Sequence, residues 1–466
     1  MIRRTGFAML LSTFVFGVLL APTASGQQRR FNLDAGTFQM RVENGVQIIE
    51  MTQVQLQQET ITLRAARGVD YGNGRYLFSR NVRIIDQGDT LTADEVRYNR
   101  ITKVGRAVGR VRLGDGEVVV TAPEGDFDLE EHRADFRAGV RMVDSVTVLT
   151  SQTGSYWTEE KRAEFAGSVR LDSDESDVLA DSLDYSRDGR RSDARGNVVI
   201  VRRDDDLESF ILGDRALNDD SLGTGVATGN VLVARISTDS TAADTLYISA
   251  GEIHSAREDS VDSTIAVGDV RVADSDFSAL ADSVLQRSWV GGRSESRLFG
   301  QPFIWVGESQ VSGDTIRIAG HDGAIDSLLV RGSAFVAQRD TLVDRLQQMK
   351  GMTVLGLFRA DSLRLLEVSP NAEAVYFNRD DADSLAGALQ VTADRIRFLF
   401  SGDEISDLRV YQDVIGTYFP GTLIPADLLL DGLVWKPEDR PEAAAFRQRL
   451  QEALIRFREQ EPDTDR

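Results

Sequence analysis

Residues 106–128 read RAVGRVRLGDGEVVVTAPEGDFD: an alternating apolar run, a Gly-Asp-Gly turn, a second apolar run, then an aromatic side chain among carboxylates. The phrase recurs along the chain. Its centre, Gly109, belongs to the series Arg80, Gly109, Ala138, Gly167 and Gly196, evenly spaced at 29 residues. The series continues in looser steps of 33, 39, 32 and 32 through Gly229, Gly268, Gly300 and Gly332. A fixed period of this size marks stacked structural units, and insertions at turns account for the looser steps.

Two and four residues after each centre stand apolar side chains: Val82 and Ile84, Val111 and Leu113, Val140 and Met142, Val169 and Leu171, Val198 and Ile200, Val231 and Val233, Val270 and Val272. Alternation with period 2 puts each pair on one face of a strand, and the residue between them points away. Stacked strands turn the pairs into a stripe. Glycine costs a strand interior about 0.5–1 kcal/mol relative to alanine, so its recurrence predicts a bend or a close backbone approach. A second phrase keeps the same spacing: LTADEVRY, VTAPEGDF, LTSQTGSY and VLADSLDY end on Tyr98, Phe127, Tyr156 and Tyr185. Inside it the alternation changes phase. Leu91 and Ala93 share one face and Val96 and Tyr98 the other, which predicts a bulge or corner near Ala93-Asp94 and leaves open which face is buried. Asn-Gly, Asp-Gly and Gly-Asp pairs between the runs read as tight turns, giving two or three strands per unit. Only after Pro437 and Pro441 does helical spacing appear, in Phe446, Leu450, Leu454 and Phe457, which predicts a short capping or docking helix.

Composition narrows the function classes. With 466 residues, 41% hydrophobic and 27% charged, the chain is long and apolar enough to bury a sizeable core. Its formal net charge of −21 repels a polyanion, so no nucleic-acid partner is expected. Of the 53 basic residues only Lys103, Lys161, Lys350 and Lys436 are lysines; the others are arginine. With no cysteine there is neither a disulfide framework nor a thiol for a lipid anchor. Arg3 and Arg4, the apolar run from Gly6 to Leu20 and the small residues Ala24-Ser25-Gly26 predict a cleavable signal peptide over residues 1–26.

The reactive residues do not gather into a catalytic pattern. Asp94, Asp181, Asp282, Asp314, Asp361 and Asp394 recur with the repeat, as corner carboxylates bonding backbone do, whereas a glycoside-cleaving pair is normally unique. His132, His254 and His321 are far apart in turn-like contexts, which predicts solvated loop histidines rather than a metal site. Asp172–Asp177 begins like a calcium loop but lacks glycine at its sixth place, and Leu183 stands at the twelfth. The sequence therefore predicts no catalytic residue, metal or cofactor. What remains is the stripe, which is either a sealed core or the lining of a groove for lipid.

The phrases GNV with alternating apolar residues, and LTAD with a tyrosine four residues after the aspartate, resemble the OstA-like family, which includes the lipopolysaccharide-transport protein LptA. QPFIWVGESQVSGDTI (301–316), NAEAVYF (371–377) and GTYFP (416–420) resemble the long OstA-like subgroup, so the likeness runs from about residue 40 to about 436. The resemblance implies an all-β, elongated antiparallel β-jellyroll (a β-taco) whose inner face carries lipid A acyl chains. It also implies a periplasmic carrier or bridge for lipopolysaccharide, associated with outer-membrane biogenesis, and no catalysis. On that reading the fourteen stripe residues named above are the lipid-binding candidates. The expected organisation is a signal peptide (1–26), an OstA/LptA-like β-repeat domain (27–300), a second OstA-like section (301–436) and a C-terminal helical tail (437–466).

Expected partners are lipopolysaccharide and other bridge or outer-membrane components joined by β-edge pairing. The edge expected to be available is VENGVQII (Val42–Ile49), with Pro420, Pro425, Pro437 and the helix closing the other end. Two other readings stay open at this point: a secreted structural or adhesive repeat protein, favoured by a sealed core, and a β-helix enzyme acting on polysaccharide, favoured by a unique cleft with facing carboxylates.

Overall fold

A computed structural model describes residues 32–460, apart from 59–60, 87–88, 100, 103, 115, 117, 129–130, 132, 144–146, 158–159, 175, 187–188, 205–206, 238–244, 276, 381–382 and 403. The expected signal peptide lies outside the described residues. The chain is all-β: the described residues form 32 antiparallel strands and one α-helix, Ala443–Glu459. The described residues divide into two compact units, one up to residue 202 and the other spanning residues 203–459.

In the first unit, long hairpin-linked strands each bend once, where the repeat centres lie. The strand Val104–Gly114 pairs with Asp89–Asn99 and with Val119–Asp128, and both ladders break after Val108, resuming at Arg112 and Val111 respectively. At the break Gly109 and Arg110 both have positive φ, 77° and 45°. The same two-residue left-handed step stands at Arg80-Asn81, Ala138-Gly139, Gly167-Ser168 and Gly196-Asn197. Two such residues in succession swing the strand into a second direction, so each strand has two limbs joined at a corner.

The corner also accounts for the change of phase. On the first limb Tyr76 faces Tyr98 and Phe78 faces Val96; on the second Val82 faces Ala93 and Ile84 faces Leu91. All eight are buried. The swing at Arg80-Asn81 brings both sets into one interior, so neither phase of the LTADEVRY phrase is the outer one. Gly154 illustrates the meeting of the limbs: a Cβ added there would lie 2.9 Å from the Phe165 ring and 3.6 Å from Val140 of the other limb.

The second unit follows the same plan from Leu207–Asp219 onward. The QPFIWV phrase forms a hairpin of Phe303–Val306 with Ser309–Ser312, Phe303 opposite Ser312 and Val306 opposite Ser309. Its core joins Ile316, Val330, Val354, Val368 and Ile396 of the first limb to Ala279, Ile304, Ala374 and Val391 of the second. Beyond the last strand the chain runs as a strap over the back of the second limb. There Leu428 and Leu430 are buried against Phe335, Val375 and Phe377. The buried Gln348 and Gln310 hold the strap by its backbone. Gln348 donates to the Leu428 carbonyl (3.2 Å) and accepts from the Leu430 N–H (2.8 Å). Gln310 does the same with the Val434 carbonyl (2.5 Å) and the Lys436 N–H (2.8 Å). The helix follows, burying Leu450, Ala453 and Phe457 and stacking Phe446 on Tyr247.

Two expectations about the ends need correction. Asn44-Gly45 is the turn of a hairpin, so Ile48 lies in a strand, Val46–Gln58, flanked by Thr37–Glu43 on one side and Ile61–Asp70 on the other. Among the described residues the edge on this side is Asn32–Asp34 and Thr37–Glu43, each paired only with Val46–Gln58, and Thr37–Glu43 is exposed along its whole length. At the other end Glu404–Tyr411 and Ile415–Pro420 each pair with one strand, Arg395–Ser401 and Leu385–Ala393. The prolines lead the chain onto the back of the sheet and do not close these edges.

Candidate functional site

The fourteen stripe residues separate into two levels. The first member of each pair, Val82, Val111, Val140, Val169, Val198, Val231 and Val270, is at most 2% exposed. These residues sit just past the corner, where the limbs converge. Of the second members, Ile84 is buried, whereas Leu113, Met142, Leu171, Ile200, Val233 and Val272 are half-buried. The interior is thus sealed at its floor and accessible one rung above it.

Cross-strand register makes that upper rung continuous. In the first unit Leu113 faces Val120, Val120 faces Met142, Met142 faces Leu149, Leu149 faces Leu171, and Val178 joins Leu171 to Ile200. In the second, Ile211 faces Val233, then Ile248, Val272, Ala279 and Ile304 follow in turn. Phe78, Phe136 and Phe165 on the opposite limb are buried in the same interior and were absent from the sequence-derived set. Their signal was an aromatic two residues before the repeat centres Arg80, Ala138 and Gly167, unreadable until the corner was known to turn both limbs inward.

Of the recurring carboxylates, Asp94, Asp181, Asp282 and Asp314 lie against corner glycines, whereas Asp361 accepts from the Ile325 N–H at 3.0 Å. Cβ atoms added at Gly109, Gly196, Gly229, Gly300 and Gly332 would come within 2.1–2.5 Å of carboxylate oxygens of Asp94, Asp181, Asp214, Asp282 and Asp314 respectively. Asp94 also accepts from the Arg110 guanidinium, which holds its carboxyl below the ordinary value. Asp181 accepts from the Asn197 amide at 3.0 Å. Each acid therefore braces one corner, and five equivalent corners leave no pair distinguished for acid–base work.

Further polar residues are placed differently from the sequence reading. His254 lies within the strand Thr245–Glu258 and pairs with Glu252, and His321 ends the strand Thr315–His321, so neither is a loop histidine; His132 falls outside the described residues. Asp172 is engaged by Arg170 at 2.7 Å. Arg170, expected to point into solvent, is buried, and so are Val199 and Val201 of the outward phase. The outer face is covered there, so alternation alone did not separate inside from solvent.

These features define a class: all-β repeat proteins whose bent strands enclose an apolar interior with an accessible upper rung. An OstA-like family model matches residues 37–143 and, in an overlapping window, residues 106–181. Residues 37–181 are thus similar to the OstA-like family, and a double match in overlapping windows is what an internal repeat produces. The family is in general one of periplasmic lipopolysaccharide-transport bridges rather than enzymes. No curated protein matches the chain. No helix among the described residues is long and apolar enough to cross a membrane.

Proposed function

We propose that this chain is a periplasmic carrier or bridge segment that binds lipopolysaccharide by its lipid A acyl chains and takes part in moving it to the outer membrane. One observation carries the reading: above a sealed floor Leu113, Met142, Leu171 and Ile200 are half-buried, and register links them strand to strand through Val120, the fully buried Leu149 and Val178. A core that served folding alone gains by sealing that rung. An acyl chain laid along it would gain about 0.8 kcal/mol for each methylene removed from water. The fourteen stripe residues are the proposed lining, with the second members as the contact rung. The boundary proposed at residues 300/301 marks a change of repeat phrasing. Partner bridge components would add to the exposed edge strand Thr37–Glu43.

Site-specific photo-crosslinking tests the reading. A photo-crosslinking residue in place of Met142, on the rung, captures lipopolysaccharide in cells; one in place of the exposed neighbour Arg141 does not. Equal capture at both positions, or none at either, overturns it.

A further inference from the structure

The first limb changes character midway along the second unit. Its floor is apolar: Ala227, Ile253, Ala266 and Val284 pack with Val231, Ala250 and Val270 of the opposite limb. Two residues further along each strand, on the same face, the next rung reads Gly225, Ser255, Thr264, Gln286 and Ser296. Register places these directly opposite one another in succession. The Ser296 hydroxyl donates to the Gln286 side-chain oxygen, and a Cβ at Gly225 would meet the Ser255 hydroxyl at 2.9 Å, so the rung is a contiguous polar strip. Thr264, Gln286 and Ser296 are half-buried and Ser255 is exposed, so all are reachable from the groove.

Two comparisons show that this strip is not simply the ordinary polar face of a sheet. The outward phase of the same strands holds Val226, Ile265 and Leu285 beside the polar His254, with Ile265 43% exposed, so on three of the four strands the usual polarity is reversed. The same rung is aromatic in the first unit, at Tyr76, Tyr98, Phe127, Tyr156 and Tyr185, and apolar later in the second, at Ile318, Leu328, Leu366 and Phe398. Across from the strip the second limb stays apolar, with Val233, Ile248 and Val272. The groove therefore has one hydroxyl- and amide-bearing wall facing one aliphatic wall.

We propose that Ser255, Thr264, Gln286 and Ser296 form a subsite for the uncharged polar part of a glycolipid, its sugar hydroxyls and acyl-amide linkages, while the facing limb holds acyl chain. This rests on the lipid-carrier reading above and names which part of the lipid lies where. The chemistry selects the neutral part: hydroxyls and a carboxamide offer donors and acceptors together, as sugars and amides require. A phosphate would call for arginine or lysine on this rung, and the nearest cation further out along the strand, Arg257, is engaged by Asp262 at 3.2 Å.

The experiment uses the purified full chain and two probes, lipopolysaccharide and a fluorescent long-chain fatty acid that lacks sugar and amide. The variant Thr264→Val/Gln286→Leu keeps affinity for the fatty acid and loses about tenfold for lipopolysaccharide, the scale of one or two lost hydrogen bonds. Unchanged lipopolysaccharide affinity overturns the subsite, and so does an equal loss for both probes, which would mean general damage to the groove. Ser255→Ala, at the exposed end of the strip, gives a smaller loss in the same direction and does not depend on the interior tolerating the double variant. If the unaltered chain binds neither probe, the lipid-carrier reading itself fails, a result distinct from loss of discrimination in the variant.

Discussion

At Gly196 the backbone φ is 75°, and a Cβ would fall 2.2 Å from the Asp181 carboxylate. Left-handed geometry and the close acid both demand glycine, so Gly196→Ala is expected to cost about 2 kcal/mol, read from denaturant unfolding. The two causes separate in a double-mutant cycle: an Asp181→Gly background removes the Cβ, which would itself lie at 2.8 Å, along with the carboxylate, so the clash is gone, only the backbone strain of Gly196→Ala persists, and its cost falls. The glycines were legible in the sequence because their conformational demand is local. Arg170 was not: period 2 assigns it to the outward phase, yet it is buried.

Glu295 supplies a second test at this scale. It is 5% exposed and bonded by Arg297 and Arg317, both at 2.6 Å. Burial opposes its charge, but the hydrogen bonds from Arg317 and Arg297 outweigh that and hold its carboxyl below the ordinary value. A depressed folded value means that the contribution is fully present above the unfolded value of about 4.3 and is lost as pH falls through the folded one. Glu295→Gln is therefore expected to destabilise the second unit by about 1.5 kcal/mol at neutral pH. The difference between variant and parent should shrink as the pH is lowered below about 4.3. A difference that holds constant through acid would show that the ionised carboxylate contributes nothing.

Among the elements, the strap and the strands differ in how far the sequence discloses them. Strands carry period 2 and the helix carries Phe446, Leu450 and Phe457 at helical spacing, so both could be read in advance. The strap has no period, because it is held through its backbone by two glutamines distant in the chain. Gln348→Leu keeps volume but leaves the Leu428 carbonyl and the Leu430 N–H buried and without their side-chain partner. The expected cost is about 2–3 kcal/mol, felt first as release of the strap. Limited proteolysis should then cut between Gly421 and Arg440 before it cuts the strands; unchanged resistance there would mean that the apolar contacts of Leu428 and Leu430 suffice alone.

On the scale of the whole molecule, the repeat and the bend followed from the sequence, but the location of the free edges did not. A strand's availability depends on its neighbours, and VENGVQII gives no sign that its second half is covered by Thr37–Glu43 and that from Ile49 onward the strand is paired on its other side as well. The exposed Thr37–Glu43 strand has backbone groups on one side without a strand partner among the described residues, and Phe38, Met40 and Val42 are more than half exposed on one face. An incoming strand would pair there and continue the apolar face, because Phe38 and Met40 lie opposite Met51 and Ile49 of the interior. Successive N–H groups in a strand point to opposite sides, so proline at both Gln39 and Met40 removes one donor from the free side whichever it is. The strand Val46–Gln58 keeps its pairing with Ile61–Asp70, so the melting temperature should fall by about 4 °C or less. Recovery of partner proteins from envelope extracts should drop severalfold. Ile48→Pro should instead damage the fold, since it strikes a strand paired on both sides. If the Gln39→Pro/Met40→Pro chain stays folded and recovers its partners in full, docking uses another surface, and the one-partner strands Glu404–Tyr411 and Ile415–Pro420 become the edges to test.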